Sequence, residues 1–393
     1  MLQVDYGSGP FQSQNTPFYY YDMDLLQRTL HSAAEASRRY GIKIHYAMKA
    51  NSEQRILEAV ATAGFGVDSV SGNEILEACR CGFDPSGIFF AGVGKTDSEI
   101  DIALSKGIGA FNCESVEELE IIAGRAAAMG LVAPVQIRVN PGVDAHTHKY
   151  VTTGLAENKF GVASVDFERA AAFVKGAPSL RFVGLQFHVG SQILDVEEVF
   201  RDECYRAAEL VDFFEERGLR VSSIDMGGGL GVDYEDPDEN PVPDFETWFR
   251  TIDRYLPRRS DQEVHVEPGR ALVAQCGSLI SRVVYVKKGV GRNFLILDGG
   301  MNNLIRPALY GAYHKIENLT AHYVREDEEK SCVYDVVGPI CESADVFATG
   351  RQLRRSLRGD LVAIRSAGAY GSVMSSAYNM RGFAGAVFSD QTV

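Results

Sequence analysis

The feature of this chain that most limits its fold is a rhythm. Short apolar stretches alternate with amphipathic helical ones from Ile42 to Glu267. The expected strands are Ile42–Ala47, Gly66–Val70, Ile88–Ala91, Ala110–Asn112, Val135–Asn140, Phe182–His188, Ser223–Met226 and Glu263–Glu267. Helical stretches such as Glu74–Arg80, Val116–Ala128, Glu197–Glu216 and Asp244–Tyr255 lie between them. Parallel strands need a crossover, and a helix is the usual one. Eight such units over about 240 residues have the size and period of a (β/α)8 TIM-like barrel. Periodicity does not show closure, so a doubly wound open sheet is the competing α/β arrangement.

Outside this stretch the pattern changes. Residues 1–16 are polar and rich in Gly, Ser and Gln, and Phe18 to Tyr21 suits a short strand. Asp24 to Tyr40 has Leu25, Leu26, Leu30 and Ala33 on one helical side. After Arg270, the stretches Ser278–Lys287, Asn293–Asp298, Cys332–Val337 and Leu361–Ser366 read as strands separated by Gly and Pro rather than by regular helices. The expected organisation is an arm over 1–20 packing on the β domain, a barrel over 21–270, and a C-terminal mainly-β domain over 271–393.

Composition narrows the class. A chain with 45% hydrophobic and 23% charged residues can bury a real core. A formal net charge of -14 argues against a nucleic-acid or anionic-membrane surface. The seven cysteines are scattered and form no paired CxxC motifs, which speaks against a structural zinc and for a reducing, cytoplasmic setting. No leader-like start and no membrane-length apolar run is visible.

A closed barrel keeps its chemistry at the carboxyl ends of its strands, and several polar stretches fall there. Lys49 follows the first strand in Tyr46-Ala-Met-Lys-Ala-Asn51. A desolvated lysine amine can lose its proton and form a Schiff base with a carbonyl compound; alone, such a lysine also reads as an ordinary surface residue. His188-Val-Gly-Ser-Gln192 follows the sixth strand, and its flat ring can serve structure or stack on a planar cofactor. Gly227-Gly-Gly-Leu-Gly231 follows the seventh, as a tight turn or as backbone N–H groups converging on a phosphate. Glu267-Pro-Gly-Arg270 ends the eighth. A carboxylate buried there needs a cation, either the arginine or the pyridinium nitrogen of pyridoxal phosphate.

These motifs occur in one order with Asp298-Gly-Gly-Met-Asn-Asn-Leu-Ile-Arg-Pro-Ala-Leu-Tyr310, Gly338-Pro-Ile-Cys-Glu-Ser-Ala-Asp345 and Ala367-Gly-Ala-Tyr-Gly-Ser-Val-Met-Ser-Ser-Ala-Tyr-Asn379. In that order the chain resembles the fold-type III pyridoxal-phosphate decarboxylases, and among them the diaminopimelate decarboxylase family. The resemblance implies pyridoxal 5'-phosphate as cofactor, no metal, and meso-2,6-diaminopimelate as substrate. It implies that Lys49 carries the cofactor, that His188 stacks on its ring, and that Glu267 pairs with the ring nitrogen. Ser191, Gly228, Gly229, Pro268, Gly269, Arg270 and Tyr370 would hold the phosphate end, with Asp68 close by. Cys341 resembles the family's proton donor and Glu342 a substrate ligand, both reaching the site from the second subunit of a homodimer. Arg270, Arg306, Tyr310 and Tyr370 would bind the rest of the substrate.

The residue types suit that chemistry. Losing CO2 from an amino acid leaves an electron pair that a protonated pyridinium drains, and a thiol is a suitable acid to return one proton. An arginine fork reads a distal carboxylate, whereas ornithine has none and would leave Arg306 unpaired. The competing readings are an ornithine, arginine or carboxynorspermidine decarboxylase on the same scaffold, an amino-acid racemase, and a catalytically dead binding homologue. The polar stretch from Asp144 to Asn158 is expected to be a lid.

Overall fold

The computed structural model describes residues 2–4, 11, 14–140, 159–325 and 331–391. The expected lid lies outside the described residues. The chain divides into two compact units: Leu30–Gly231 with Asp244–Gly269, and Met1–Thr29 with Val232–Pro243 and Arg270–Val393.

The first strand, β1 (Phe18–Tyr21), belongs to the second of these units. The other unit is the barrel. Its strands are β2 (Ile42–Ala47), β3 (Gly66–Ser69), β4 (Ile88–Phe90), β5 (Ala110–Cys113), β6 (Ala133–Arg138), β7 (Leu180–Gln186), β8 (Ser223–Asp225) and β9 (Glu263–Val266). All pair in parallel, and β9 returns to β2, so the barrel is closed and the open-sheet alternative is excluded. These strands lie within a few residues of their expected bounds because a parallel strand covered on both faces reads as an uninterrupted apolar run; Ile88-Phe89-Phe90 is one. Two of the helices between them start at serine caps. Ser71 accepts a hydrogen bond from the Glu74 N–H at 3.2 Å and Ser115 one from Glu118 at 3.1 Å. Outside the strands, the buried faces of the helices 196–216 and 245–255 meet through Phe200 and Trp248, with ring centroids 5.4 Å apart.

Register then places chemistry. Ala47 pairs with Asp68, and Ile44 with Val266, so Lys49, Asp68 and Glu267 leave three neighbouring strands at one mouth.

The second unit is built on β10 (Gly277–Lys288), β11 (Asn293–Leu297), β12 (Ile316–Asn318), β13 (Ser331–Val337), β14 (Val346–Arg354), β15 (Leu361–Ile364) and β16 (Gly385–Phe388). The sheet runs β12-β15-β10-β11-β13-β14, and β1 joins β10 antiparallel and β16 parallel. Leu2, Phe11, Phe18 and Tyr20 are buried with Ile280, Leu361 and Val387, which ties the N-terminal arm to this sheet. β12, β14 and β16 are additions to the expected strands. β14 carries Gly350, Arg351 and Arg354 and pairs with β13 through irregular register, so no apolar alternation marks it.

The units also depart from the boundaries expected at 20/21 and 270/271, because residues 21–29 and 232–243 group with the sheet. The physical reason for the second excursion is polar anchoring. Asp238 takes the Arg365 guanidinium at 2.9 Å, Asp236 faces the Lys315 amine at 3.5 Å, and the Asn240 carbonyl accepts from Gln275 at 2.6 Å. Among the described residues, no helix is long and apolar enough to cross a membrane.

Candidate active site

At the barrel mouth, Lys49 occupies a single 3-10 turn, Met48–Ala50, whose flanking Met48 and Ala50 are buried. The turn is pinned while the Lys49 side chain stays about one-third exposed, at 35%. Its Nζ donates to Asp68 Oδ2 at 2.6 Å. Asp68 is buried, and its Oδ1 has no hydrogen-bond partner. Glu267 is also buried, with Oε1 accepting from Asn112 at 3.2 Å and Oε2 from Gln186 at 2.9 Å. Beside it, at the end of β8, Asp225 accepts the Gly227 N–H at 2.9 Å and faces the Glu267 carboxyl within hydrogen-bonding reach.

Electrostatics make this an acidic pocket short of positive charge. Burial pushes the Glu267 carboxyl well above its ordinary range, the charges of Asp225 and Asp68 push it further, and Lys49 opposes. Burial likewise raises Asp225 to about 7. The orphaned Asp68 oxygen and a Glu267 crowded by the Asp225 carboxyl suit a bound cation beyond the lysine. The protonated ring nitrogen of pyridoxal phosphate meets that requirement.

His188 is neutral. The Gly190 N–H donates to its Nδ1 at 3.2 Å, so that nitrogen carries a lone pair. Burial, and then the positive Arg138 and Lys49, hold the ring well below its ordinary pKa. The loop that carries Ser191 is stitched to the glycine loop: Ile193 N–H donates to Gly229 O, and Gly231 N–H to Ile193 O, each at 2.9 Å. No side chain fits at Gly228, where a Cβ would collide with the Glu267 carbonyl oxygen. At Gly229, φ is +126° and a Cβ would lie 2.8 Å from the Gly190 carbonyl oxygen. The backbone therefore stays bare, as a phosphate cradle requires. Pro268 O accepts the Ala47 N–H at 3.2 Å, which fixes Pro268 and Gly269 beside β2.

The remaining expected residues lie in the second unit. Arg270 is buried, donates to the Tyr234 hydroxyl at 2.7 Å, and has its guanidinium 5.0 Å from the Tyr370 ring centroid. Tyr370 takes a left-handed φ of 56°, rare for an aromatic residue. Arg306 opens the short helix Arg306–Tyr310. It is buried, lies 5.0 Å from the Tyr234 ring centroid, and meets His314 Nε2 at 2.9 Å. Burial pushes the Tyr234 phenol up, but the two arginines outweigh it and leave it lowered. Tyr310 lies near enough to Arg270 to favour its charge. Among the described residues, no carboxylate forms an ion pair with Arg306. Arg365, by contrast, is matched by Glu317 at 3.0 Å and Asp238 at 2.9 Å.

Cys341 and Glu342 are exposed in the turn between β13 and β14. The turn is braced from beneath: Asp345 accepts the N–H groups of Met301 at 2.6 Å and Ile340 at 2.7 Å. The Cys341 N–H donates to Asn379 at 2.8 Å. No hydrogen bond or ion pair joins these two side chains to the arginine cluster among the described residues.

Several residues escaped the sequence reading. Asp225 stands two residues before the glycine run, and that closeness was its signal. Asn112 and Gln186 are polar residues at the ends of apolar strands. Glu74, raised by burial to about 7, lies close enough to feel both Lys49 and Asp68. Tyr234 and His314 carry no local signal.

Residues 24–274 match a family model described as pyridoxal-dependent decarboxylase, pyridoxal binding domain. The chain is a pyridoxal-dependent decarboxylase, and pyridoxal phosphate is its cofactor. It is 49% identical to the diaminopimelate decarboxylase of Bacteroides thetaiotaomicron, over 98% of this chain and 98% of that one. It is 40% identical to that of Neisseria meningitidis, over 95% of this chain and 88% of the relative. The crystal structure of the Helicobacter pylori diaminopimelate decarboxylase complexed with L-lysine superimposes with a TM-score of 0.88 at 39% identity, covering 96% of this chain and 92% of that chain. The chain belongs to the diaminopimelate decarboxylase family.

Proposed function

We propose that this chain decarboxylates meso-2,6-diaminopimelate to L-lysine, the last step of lysine biosynthesis, and that the residues described above divide the work. The observation that carries the substrate is Arg306, a buried cation with no carboxylate partner among the described residues. A buried guanidinium left so is costly unless a ligand carboxylate completes it. Diaminopimelate brings a second carboxylate; a plain diamine precursor does not.

Pyridoxal phosphate, when bound, supplies the electron sink for the pair left by departing CO2. Lys49 holds it, with Asp68 orienting the amine. Glu267 keeps the ring nitrogen protonated, and His188, neutral and flat, covers a ring face. Ser191, Gly228, Gly229, Pro268, Gly269, Arg270 and Tyr370 hold the phosphate end. Arg306, with Arg270, Tyr310 and Tyr370, takes the distal carboxylate, and Glu342 the distal ammonium. Cys341 delivers the proton to the carbon that lost CO2. A reducing, cytoplasmic setting is supported by seven thiols, none of them in a disulfide.

CO2 release from meso-diaminopimelate, ornithine, arginine and carboxynorspermidine, assayed in parallel, tests this reading. Only the first should react. Arg306→Leu should lower kcat/KM for it by about 100-fold, the worth of a charged pair in a dry site. Comparable turnover of ornithine by the native protein would defeat the assignment.

The proposal includes a homodimer with shared sites. Its support is the exposure of Cys341 and Glu342 on a braced turn, next to a segment that exposes Met380 (97%) and Phe383 (68%). Apolar side chains held out on such a segment suit a covered interface. Mixing Lys49→Ala with Cys341→Ala protein should restore roughly a quarter of the native rate, because half of randomly mixed dimers are mixed and each has one intact site. No restoration would show that Lys49 and Cys341 of one site come from the same subunit.

A further inference from the structure

Arg306 is aimed by a ring. His314 is 1% exposed and lies in the loop between the helix 306–310 and β12. Its Nδ1 is 2.8 Å from the Arg365 carbonyl oxygen. A carbonyl only accepts, so Nδ1 carries the hydrogen. The neutral ring then has its lone pair on Nε2, and this is the atom that meets Arg306 Nη1 at 2.9 Å. A protonated ring would set an N–H against a guanidinium N–H. One tautomer in one charge state therefore satisfies both neighbours.

The ring is also held against rotation. The carbonyl that fixes it belongs to a residue pinned at both ends: the Arg365 N–H donates to Lys315 O at 2.8 Å, and its guanidinium is matched by Glu317 and Asp238. Tyr234 meets the imidazole edge to face, with centroids 5.2 Å apart at 81°. The groups of charge or titration around the ring are Arg306, Arg270, Arg365 and Tyr234. Burial and the two nearer arginines hold His314 at about 3, so it stays neutral throughout the working range.

We propose that His314 is a positioning residue for substrate choice: its Nε2 lone pair fixes the Arg306 guanidinium so that the remaining donors face a ligand's carboxylate. This rests on the reading of Arg306 given above. Removing the acceptor leaves the guanidinium charged and held only on its Tyr234 side, which weakens carboxylate binding and leaves the bond-breaking step alone.

The test is equilibrium binding to the cofactor-loaded protein, followed by calorimetry, with two probes. L-Lysine retains one carboxylate; 1,5-diaminopentane has none. His314→Leu should weaken L-lysine about ten- to fifty-fold and leave the diamine within about twofold. His314→Gln, which keeps an acceptor near the Nε2 position, should recover most of the loss. In turnover, His314→Leu should raise KM by a similar factor with kcat within about threefold. Equal weakening of both probes, or a fall in kcat with KM unchanged, would mean a structural role and overturn the proposal. Arg306→Leu in the same titration separates the two claims. If it leaves L-lysine binding intact, the role of Arg306 is wrong; if it weakens L-lysine and neither His314 variant does, positioning by His314 alone is wrong.

Discussion

Lys49→Ala is expected to lower CO2 release by about three orders of magnitude or more. The amine stands at the end of β2 in a turn that buried neighbours hold still, and its hydrogen bond to Asp68 fixes its direction. Among the described residues a second lysine near the strand ends, Lys95, has a buried side chain and is bound to the Asn112 carbonyl at 2.8 Å and to Glu118 at 2.6 Å rather than to Asp68. The substitution also leaves the Asp68 carboxylate without its cation, which costs about 1–3 kcal/mol unless the carboxyl takes up a proton. The barrel should still fold, since its core does not use Lys49. Visible absorbance of the cofactor-loaded protein, thermal melting and CO2 evolution read the three effects separately. A variant that keeps activity within tenfold of native would remove Lys49 from the mechanism.

Glu267→Gln is expected to lower kcat by about 100- to 1,000-fold with a smaller change in KM. Glutamine keeps the shape: its oxygen accepts from one of Asn112 and Gln186, and the other can turn its unpartnered amide oxygen to the new NH2. It has no charge with which to hold a proton on a ring nitrogen, so the electron sink is lost while binding survives. The same residue sets a pH signature in the cofactor-free protein. Glu267 and Asp225 both have folded values raised by burial. Their stabilising contribution is therefore complete below the ordinary carboxyl range and is lost as pH rises through the raised values, which for Asp225 ends at about 7. A bound ring cation reverses that loss by pairing with the ionised carboxylate. The rise in Tm on adding pyridoxal phosphate should thus grow between about pH 5 and 8, and grow less in Glu267→Gln. A Tm rise with the same pH profile in both proteins would contradict the pairing.

Much of the barrel was readable from the residues because the physics behind it is local. Strands covered on both faces must be apolar throughout, and the helices between them must be amphipathic. Once eight such units are granted, closure brings every strand's carboxyl end to one mouth. A lysine after the first strand, a histidine after the sixth and a glutamate after the eighth then become neighbours, although Lys49 and Glu267 are far apart in the chain. The glycine run is legible for the same reason: a Cβ at Gly228 has no room beside Glu267.

What stayed hidden depended on partners that no local pattern names. β16 is a strand because β1, from the other end of the chain, offers it a parallel edge. β14 has a mixed, arginine-bearing sequence and is organised by its pairing with β13. Asp225 is remote from Glu267 in sequence, and only the β8–β9 register at Asp225 and His265 brings their carboxyls together.

The sequence by itself determined the repeat, the family and the residue types at the strand ends, since apolar period and motif order need no third dimension. The tertiary structure decided the charge states and the direction of the arginine cluster. Burial and crowding, not residue type, raise Glu267, and the Arg365 carbonyl just past β15 chooses the tautomer with which His314 holds Arg306.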